Sequence, residues 1–241
     1  MRIAALVQAR MGSTRLPGKV LKDIDGKSVL WHVVDRLRRA KLLDQVIIAT
    51  TTDPKDEAIQ TFCRHENIDF FRGSEEDVLD RYYRAANHFK IDQIVRITSD
   101  CPLIDPEIVD QVIQKHLASK ADYSSNTLER TFPRGLDTEI CTYQALTRAS
   151  KEVKDRAERE HVTLYFYRHP ELFQLASVEA EGIFRRPDIR ICVDTLEDLE
   201  LIRRIYRELK NRSMNCQDIV ALLTSKSELL QINAQVKQKA V

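Results

Sequence analysis

Residues 3–19 read IAALVQARMGSTRLPGK. The first seven, Ile3 to Ala9, form an apolar run of the kind expected for a strand covered on both faces. The rest leave that strand at its carboxyl end and bring together Gly12 and Gly18, the hydroxyls of Ser13 and Thr14, and the cations Arg10, Arg15 and Lys19. Backbone N–H groups freed by glycine, with Arg and Lys side chains around them, make a cradle for a polyphosphate. The loop belongs to neither of two common phosphate-binding types. Five residues separate Gly12 from Gly18 and Val20 follows Lys19, so it is not a Walker A loop. No GxGxxG follows the strand, so it is not a dinucleotide turn.

Outward from this loop, strands alternate with helices. SVLWHVVDRLRRA (28–40) repeats apolar residues at helical spacing behind Ser28 as N-cap, and QVIIATTT (45–52) reads as a strand. Asp53-Pro54 opens a helix by capping chemistry. IDFFRG (68–73) is a strand, EDVLDRYYRAANHF (76–89) a helix, and QIVRITS (93–99) a strand ended by Asp100-Cys101-Pro102. Asp105-Pro106-Glu107 caps the next helix. Residues 123–143 read as an extended insertion, an arm, and 144–168 as helical. FQLASVEA (173–180) and DIRICVD (188–194) read as strands, the second entering the helix LEDLELIRRIYREL (196–209). From Ser213 one more amphipathic helix is expected, then a polar end, 235–239, that frays. The pattern predicts an α/β fold: one domain over 1–241, a three-layer sandwich around a mostly parallel sheet, with ligand beyond the carboxyl ends of the strands.

Composition bounds the function. Lys and Arg number 38 against 37 Asp and Glu in 241 residues, so the net charge of +1 supplies no field to gather nucleic acid or an anionic membrane. With 43% apolar and 31% charged residues the chain can bury a core, and no run of about 18 apolar residues exists to span a bilayer. The N-terminus reads as a first strand rather than a signal peptide. Cys63, Cys101, Cys141, Cys192 and Cys216 are scattered, without a CxxC pair, as expected of buried thiols in a cytoplasmic protein. Only 6 glycines occur where about 17 would be usual, and three (Gly12, Gly18, Gly26) fall within the first 26 residues, which marks the loop again.

Asp100 and Asp194 each follow an expected strand. Two carboxylates on one rim suit Mg²⁺, which takes oxygen ligands and keeps waters and substrate phosphates in its shell; capping of the next helix is the other use for such aspartates, and Thr195 with Asp198 already forms a capping-box pattern. Arg72 and Gly73 after the third strand, with Asp77, are candidates to bound a base pocket. Asp137 and Glu139 alternate onto one strand face and so point to solvent or to a ligand. Glu160 and His161 follow a charged run, and a lone His is more often structural than catalytic.

ARMGSTRLPGKVL (9–21) resembles the signature loop of the cytidylyltransferases that activate acidic sugars, the CMP-Kdo and CMP-sialate synthetases. The branch it most resembles is named for spore-coat polysaccharide biosynthesis protein F. GSEEDVLDRYYRAA (73–86), TSDCPLIDPEIVD (98–110), FPRGLDTEI (132–140), REHVT (159–163) and VDTLEDLE (193–200) have counterparts in the same branch. The resemblance implies a Rossmann-like, nucleotide-diphospho-sugar transferase-like fold. It implies that Ala9 and Arg10 meet the nucleotide, that Gly12, Ser13 and Thr14 offer N–H groups and hydroxyls, and that Arg15 and Lys19 neutralise phosphates. It assigns the metal to Asp100 and Asp194, and places Arg134, Asp137 and Glu139 on the acceptor side, with Arg134 holding an anionic group. Two positions depart from relatives: Val20 stands where sialate synthetases carry Asn, and Thr98-Ser99 where the Kdo enzymes carry Gln-Gly.

The expected activity is therefore transfer of CMP from CTP to a sugar or sugar-acid acceptor, with Mg²⁺, in polysaccharide or glycan precursor synthesis. Catalysis would rest on Arg15, Lys19 and Asp100 in a cytoplasmic homodimer completed by the 123–143 arm, with no nucleic-acid or membrane partner. Two alternatives stand beside it. A nucleotide-sugar-dependent glycosyltransferase shares such a sheet but usually has a D-x-D pair, where this chain offers Ser99-Asp100-Cys101. A non-catalytic nucleotide-binding subunit would not need Arg15, Lys19, Asp100 and Asp194 all intact.

Overall fold

The computed structural model describes residues 1–211 and 213–238; of the polar end expected at 235–239, residue 239 lies outside the described residues. Nine strands are present among them: β1 Ile3–Gln8, β2 Asp23–Ile24, β3 Lys27–Ser28, β4 Gln45–Thr51, β5 Asp69–Gly73, β6 Gln93–Thr98, β7 Tyr123–Ser125, β8 Glu139–Thr142 and β9 Leu175–Ser177. The helices are α1 Val29–Leu37, α2 Glu57–His65, α3 Val78–Phe89, α4 Pro106–Ser119, α5 Tyr143–Glu152, α6 Arg156–His161, α7 Leu164–Arg168, α8 Leu196–Leu209 and α9 Cys216–Ser225.

Seven strands form one sheet in the order β5-β4-β1-β6-β8-β7-β9. All run parallel except β8, which is antiparallel to both neighbours. The chain winds outward from β1 through β4 to β5, then returns to lay β6 on the other side of β1. That reversal is a topological switch point, and it opens a crevice beyond the carboxyl ends of β1 and β6.

Alternation along β1 builds the three layers. Ile3, Ala5 and Val7 pack with Leu30 and Val33 of α1, Ile59 of α2 and Val109 of α4 on one face. Ala4 and Leu6 pack with Leu79 and Tyr82 of α3 and Leu146 of α5 on the other. A third apolar cluster joins α8 and α9 to Leu16, Phe132, Leu136, Ile189, Ile191 and Val193. The caps fall where the sequence places them: Ser28 accepts from Trp31 N at 3.1 Å, Asp53 from Lys55 N at 2.7 Å and Asp105 from Glu107 N at 2.8 Å. Asp53-Pro54 opens a short 3₁₀ turn that leads into α2, rather than α2 itself.

Two expectations are corrected. The 123–143 segment is not an extended insertion apart from the sheet: its ends are β7 and β8 of the main sheet, and Thr131, Phe132 and Leu136 between them are buried. The 188–194 segment is not a sheet strand. It forms one isolated bridge, Arg134 to Arg190, with Ile191 N donating to Arg134 O at 2.8 Å and Val193 N to Asp100 O at 2.7 Å. Its apolar alternation is real, but Ile189, Ile191 and Val193 face the α8–α9 cluster instead of a sheet surface. The sequence expectations also omitted the β2–β3 hairpin, whose Asp25-Gly26 turn has φ of 51° and 76°.

Gly135 is what lets the two segments meet. Its φ is +110°, and a Cβ there would lie 2.7 Å from the Ile191 carbonyl carbon. Gly135→Ala is expected to lose at least ~2 kcal/mol in urea unfolding, through backbone strain and displacement of 189–194. Gly26→Ala, with a similar positive φ but open space around it, is expected to lose only ~1 kcal/mol.

Candidate active site

Residues 9–19 fold into a self-braced loop. Ser13 N and Gly18 N both donate to Met11 O, at 2.9 and 3.0 Å, and Leu16 N donates to Ser13 Oγ at 3.2 Å. Leu16 pins the loop in the α8–α9 cluster. Asp56, buried after β4, accepts from Met11 N at 2.7 Å and from the Thr51 hydroxyl. Gly18 takes a left-handed conformation (φ 67°) that turns the chain into the Lys19–Leu21 3₁₀ turn. Lys19 is thereby aimed across the crevice.

There its ammonium donates to Asp100 Oδ2 at 2.7 Å, Asp194 Oδ1 at 2.7 Å and Val193 O at 2.9 Å. Burial alone would lower the pKa of this ammonium; Asp100 and Asp194 outweigh it and hold it above its ordinary value. Burial pushes both carboxyls up and Lys19 pulls them down further, leaving Asp100 below the usual range and Asp194 at about 2. Asp194 is also gripped by Arg15 at 2.8 Å and by Arg190 at 2.7 Å. Arg190 is in turn fixed by the fully buried Asp198 at 2.9 Å. Residues near the C-terminus reinforce this shell: Asn233 Nδ2 donates to Asp198 Oδ1 at 2.8 Å, and Arg190 donates to Gln238 Oε1 at 2.6 Å.

This charge cluster sits at one end of a cavity of about 760 Å³, large enough for a nucleotide. Of the residues expected to bind nucleotide or metal, Ala9, Arg10, Gly12, Ser13, Thr14, Arg15, Lys19, Asp100 and Asp194 all line it. Arg72, Gly73 and Asp77 do not. The Arg72 guanidinium donates to Thr51 O, Gln60 Oε1 and Asp53 O, bracing the turn after β4. Asp77 caps α3 and pairs with Arg159 at 2.6 Å. Gly73 backs the stem of Arg81, whose Cγ a Cβ at this glycine would meet at 2.9 Å.

The acceptor candidates Arg134, Asp137 and Glu139 also lie outside the cavity. Arg134 is held beside Arg190, and Asp137 pairs with Arg130. Glu139 faces neither solvent nor the cavity. The β6–β8 register sets it against Arg96, and it accepts from Tyr123 Oη at 2.5 Å and Thr163 Oγ1 at 2.6 Å. Burial raises its pKa, but Arg96 and these donors bring it below the usual carboxylate value.

The cavity wall also carries residues the sequence analysis left out or set aside: Glu75, Glu76, Arg81, Arg156, Glu160 and His161. Val162 holds the last two in place with φ 55° and ψ −62°, a rare conformation for a β-branched residue, closed by Thr163 N donating to His161 O at 2.5 Å. Burial lowers the His161 pKa. The signal available in the sequence was His161 within REHVT, which periodicity alone cannot distinguish from a structural histidine.

Comparison with known proteins extends over the whole chain. A family model described as cytidylyltransferase matches residues 4–228. Spore coat polysaccharide biosynthesis protein SpsF of Bacillus subtilis is 36% identical over 227 residues, 92% of this chain and 93% of that one. A 3-deoxy-manno-octulosonate cytidylyltransferase of Pelobacter propionicus is 35% identical over 173 residues, covering 70% of this chain and 62% of its own. The solved structure of a cytidylyltransferase from Leptospira borgpetersenii superposes with a TM-score of 0.91 at 30% identity, covering 100% of this chain and 99% of that one.

The carboxylate–lysine cluster makes stability depend on acid. The folded state holds Asp194 near 2, below its unfolded value, so this stabilisation is complete above about pH 5 and is lost as pH falls toward 2. The stability gap between native protein and Asp194→Asn, read from urea midpoints, should be on the order of 2 kcal/mol at pH 7 and shrink below pH 4. A gap unchanged between pH 7 and pH 3 would mean these contacts do not hold the charge.

Proposed function

We infer that this chain, which belongs to the cytidylyltransferase family, transfers CMP from CTP to a sugar or sugar-acid acceptor and releases pyrophosphate. The chain is a CTP-dependent nucleotidyltransferase; the acceptor class and the use of Mg²⁺ are the proposal. One observation carries it: the Lys19 ammonium shared between Asp100 and Asp194 at the foot of a loop rich in cations. The relatives' names, one for spore-coat polysaccharide synthesis and one for a sugar-acid cytidylyltransferase, support an acceptor of this class.

In this reading the loop from Ala9 to Lys19 grips the triphosphate, with Arg10, Arg15 and Lys19 neutralising its charge. Arg156, Glu160 and His161, which also line the cavity, orient the acceptor, whose oxygen attacks the α-phosphate in line. Arg15 and Lys19 stabilise the departing pyrophosphate. The donor set fits Mg²⁺: among the described residues no cluster of three or more metal-binding side chains exists, but two carboxylates turned to one cation suffice when phosphates and water complete the shell. Bound by Asp100 and Asp194, Mg²⁺ would stabilise the charge developing on the phosphate oxygens. A homodimer and a cytoplasmic site of action belong to the same reading. The five buried, unpaired cysteines support a reducing compartment, and no helix among the described residues is long and apolar enough to cross a membrane.

Two measurements test it. CTP at a hundred times its dissociation constant adds about 2.7 kcal/mol, or roughly 5–10 °C in Tm for a domain of this size. The shift should require Mg²⁺ and vanish in Asp100→Ala; preference for UDP-glucose over every free triphosphate would favour the glycosyltransferase instead. Separately, Lys19→Met should lose roughly 3–5 kcal/mol by leaving Asp100 without its cation and Asp194 with only Arg15 and Arg190. Added Mg²⁺ should restore more stability to that variant than to native protein, and an equal effect on both would count against metal at this pair.

A further inference from the structure

Asp194 is backed by a second, fully buried carboxylate, Asp198 in the first turn of α8. Five donors among the described residues converge on it. Its Oδ2 accepts from Asp194 N at 2.9 Å, Arg190 Nη2 at 3.0 Å and Thr195 N at 3.2 Å. Its Oδ1 accepts from Arg190 Nε at 2.9 Å and from Asn233 Nδ2 at 2.8 Å. Reciprocal capping of α8 uses only the contacts between Asp198 and Thr195. A cap alone does not call for the bonds to Arg190 and Asn233.

Arg190 carries their effect to Asp194. Besides its two bonds to Asp198, its Nη2 donates to Asp194 Oδ2 at 2.7 Å and its Nη1 to Gln238 Oε1 at 2.6 Å. A planar guanidinium bonded at all three nitrogens cannot turn without breaking several bonds together. Arg15 takes the same Asp194 oxygen at 2.8 Å. Oδ2 therefore faces two guanidiniums, and Oδ1 is the oxygen turned to Lys19, at 2.7 Å. A carboxylate without this clamp would be free to rotate and interchange the two.

The clamp is fastened from the C-terminal segment. Asn233 is buried, and its Nδ2 donates to Arg190 O at 3.1 Å as well as to Asp198. One carboxamide thus ties the Arg190 backbone to the carboxylate that the Arg190 side chain grips. Both partners are acceptors, so the site takes a donor, and an aspartate in its place would offer none. Leu229, packed in the α8–α9 cluster, anchors the segment just before it. Asn233 and Gln238 both lie past residue 228, where the family match ends. We propose that Asn233 and Gln238 are positioning residues of the active site. Through Asp198 and Arg190 they hold the Asp194 carboxylate in one orientation, with Oδ1 as the oxygen it offers to a cation. The proposal rests on the reading of Asp100 and Asp194 as the Mg²⁺-binding pair and deepens it. Partners behind a ligating carboxylate typically change metal affinity by roughly ten- to a hundredfold.

Titration calorimetry with CTP, in Mg²⁺ or in EDTA, tests this on native protein, Asn233→Ala, Gln238→Ala and Leu229→Ala. Native protein should bind CTP about tenfold or more tightly with Mg²⁺ than without it. Asn233→Ala should lose about tenfold in Mg²⁺ and keep its affinity in EDTA. Gln238→Ala, at an exposed residue, should show the same selective loss at about threefold, and it carries the test if Asn233→Ala does not fold. Leu229→Ala removes packing from the same segment without removing a bond to Asp198 or Arg190. It should lower the urea midpoint and keep both affinities. A role in folding alone would weaken CTP equally in Mg²⁺ and in EDTA, or would make Leu229→Ala behave as Asn233→Ala does. Either result overturns the proposal, as does undiminished Mg²⁺-dependent affinity in folded Asn233→Ala or, failing that variant, in Gln238→Ala. Native protein that gains affinity from Mg²⁺ and yet gives one of these results loses only the positioning role. Native protein that gains nothing from Mg²⁺ loses the metal reading beneath it as well.

Discussion

Two carboxylates can face one another across a half-buried crevice only if a positive charge lies between them, and here that charge is the Lys19 ammonium. Much of the architecture serves this contact. Gly18 supplies the left-handed turn that aims Lys19, and Leu16 anchors the loop from below. The switch point between β1 and β6 delivers Asp100 to the same rim. Gly135 allows the 189–194 segment to approach closely enough for Val193 O and Asp194 to join. Arg15 and Arg190 then share the second oxygen of Asp194, so the aspartate is held from three sides.

The β6–β8 half of the sheet shapes another part of the cavity wall by a different route. Because β8 runs antiparallel to β6, Glu139 meets Arg96 in register. Glu139 also accepts from the hydroxyl of Thr163, and the Thr163 amide closes the turn at Val162 that presents Glu160 and His161. Left-handed backbone at a buried, β-branched residue is unfavourable and persists only where its surroundings hold it. A buried ion pair contributes little net stability once desolvation is counted. Its use in this chain is positional, linking a strand register to the direction of a cavity residue.

These arrangements explain what could be read from residues alone. The loop of residues 9–19 was legible as part of the cavity wall because glycines, hydroxyls and cations are concentrated in one short segment of a glycine-poor chain. The parallel sheet was legible from strands alternating with capped helices. Asp194 was found by its place after an apolar alternation, although that alternation packs on α8 and α9 instead of entering the sheet. Arg72 and Arg81 show the limit most clearly. Arg72 lies before the turn between β5 and α3 and Arg81 after it, and only three-dimensional bonding shows that Arg72 is spent on backbone carbonyls while the Nε of Arg81 is buried without a partner. One clue to Arg81 was present: it lies three residues after Val78 and four before Ala85, on the apolar stripe of α3, where an arginine is out of place. Glu139 was misplaced because strand alternation names a face but not what covers it.

The shell around Asp194 is assembled from opposite ends of the chain. Arg15 comes from the first loop, whereas Asn233 and Gln238, which brace Asp198 and Arg190, come from the last described residues. On a ribosome adding roughly 5–20 residues per second, some ten to forty-five seconds separate their synthesis. Throughout that interval β1, β4 and β6 can pair and the first loop can form, yet the grip on Asp194 is incomplete. The growing chain therefore carries an assembled sheet before it carries the finished shell around Asp194.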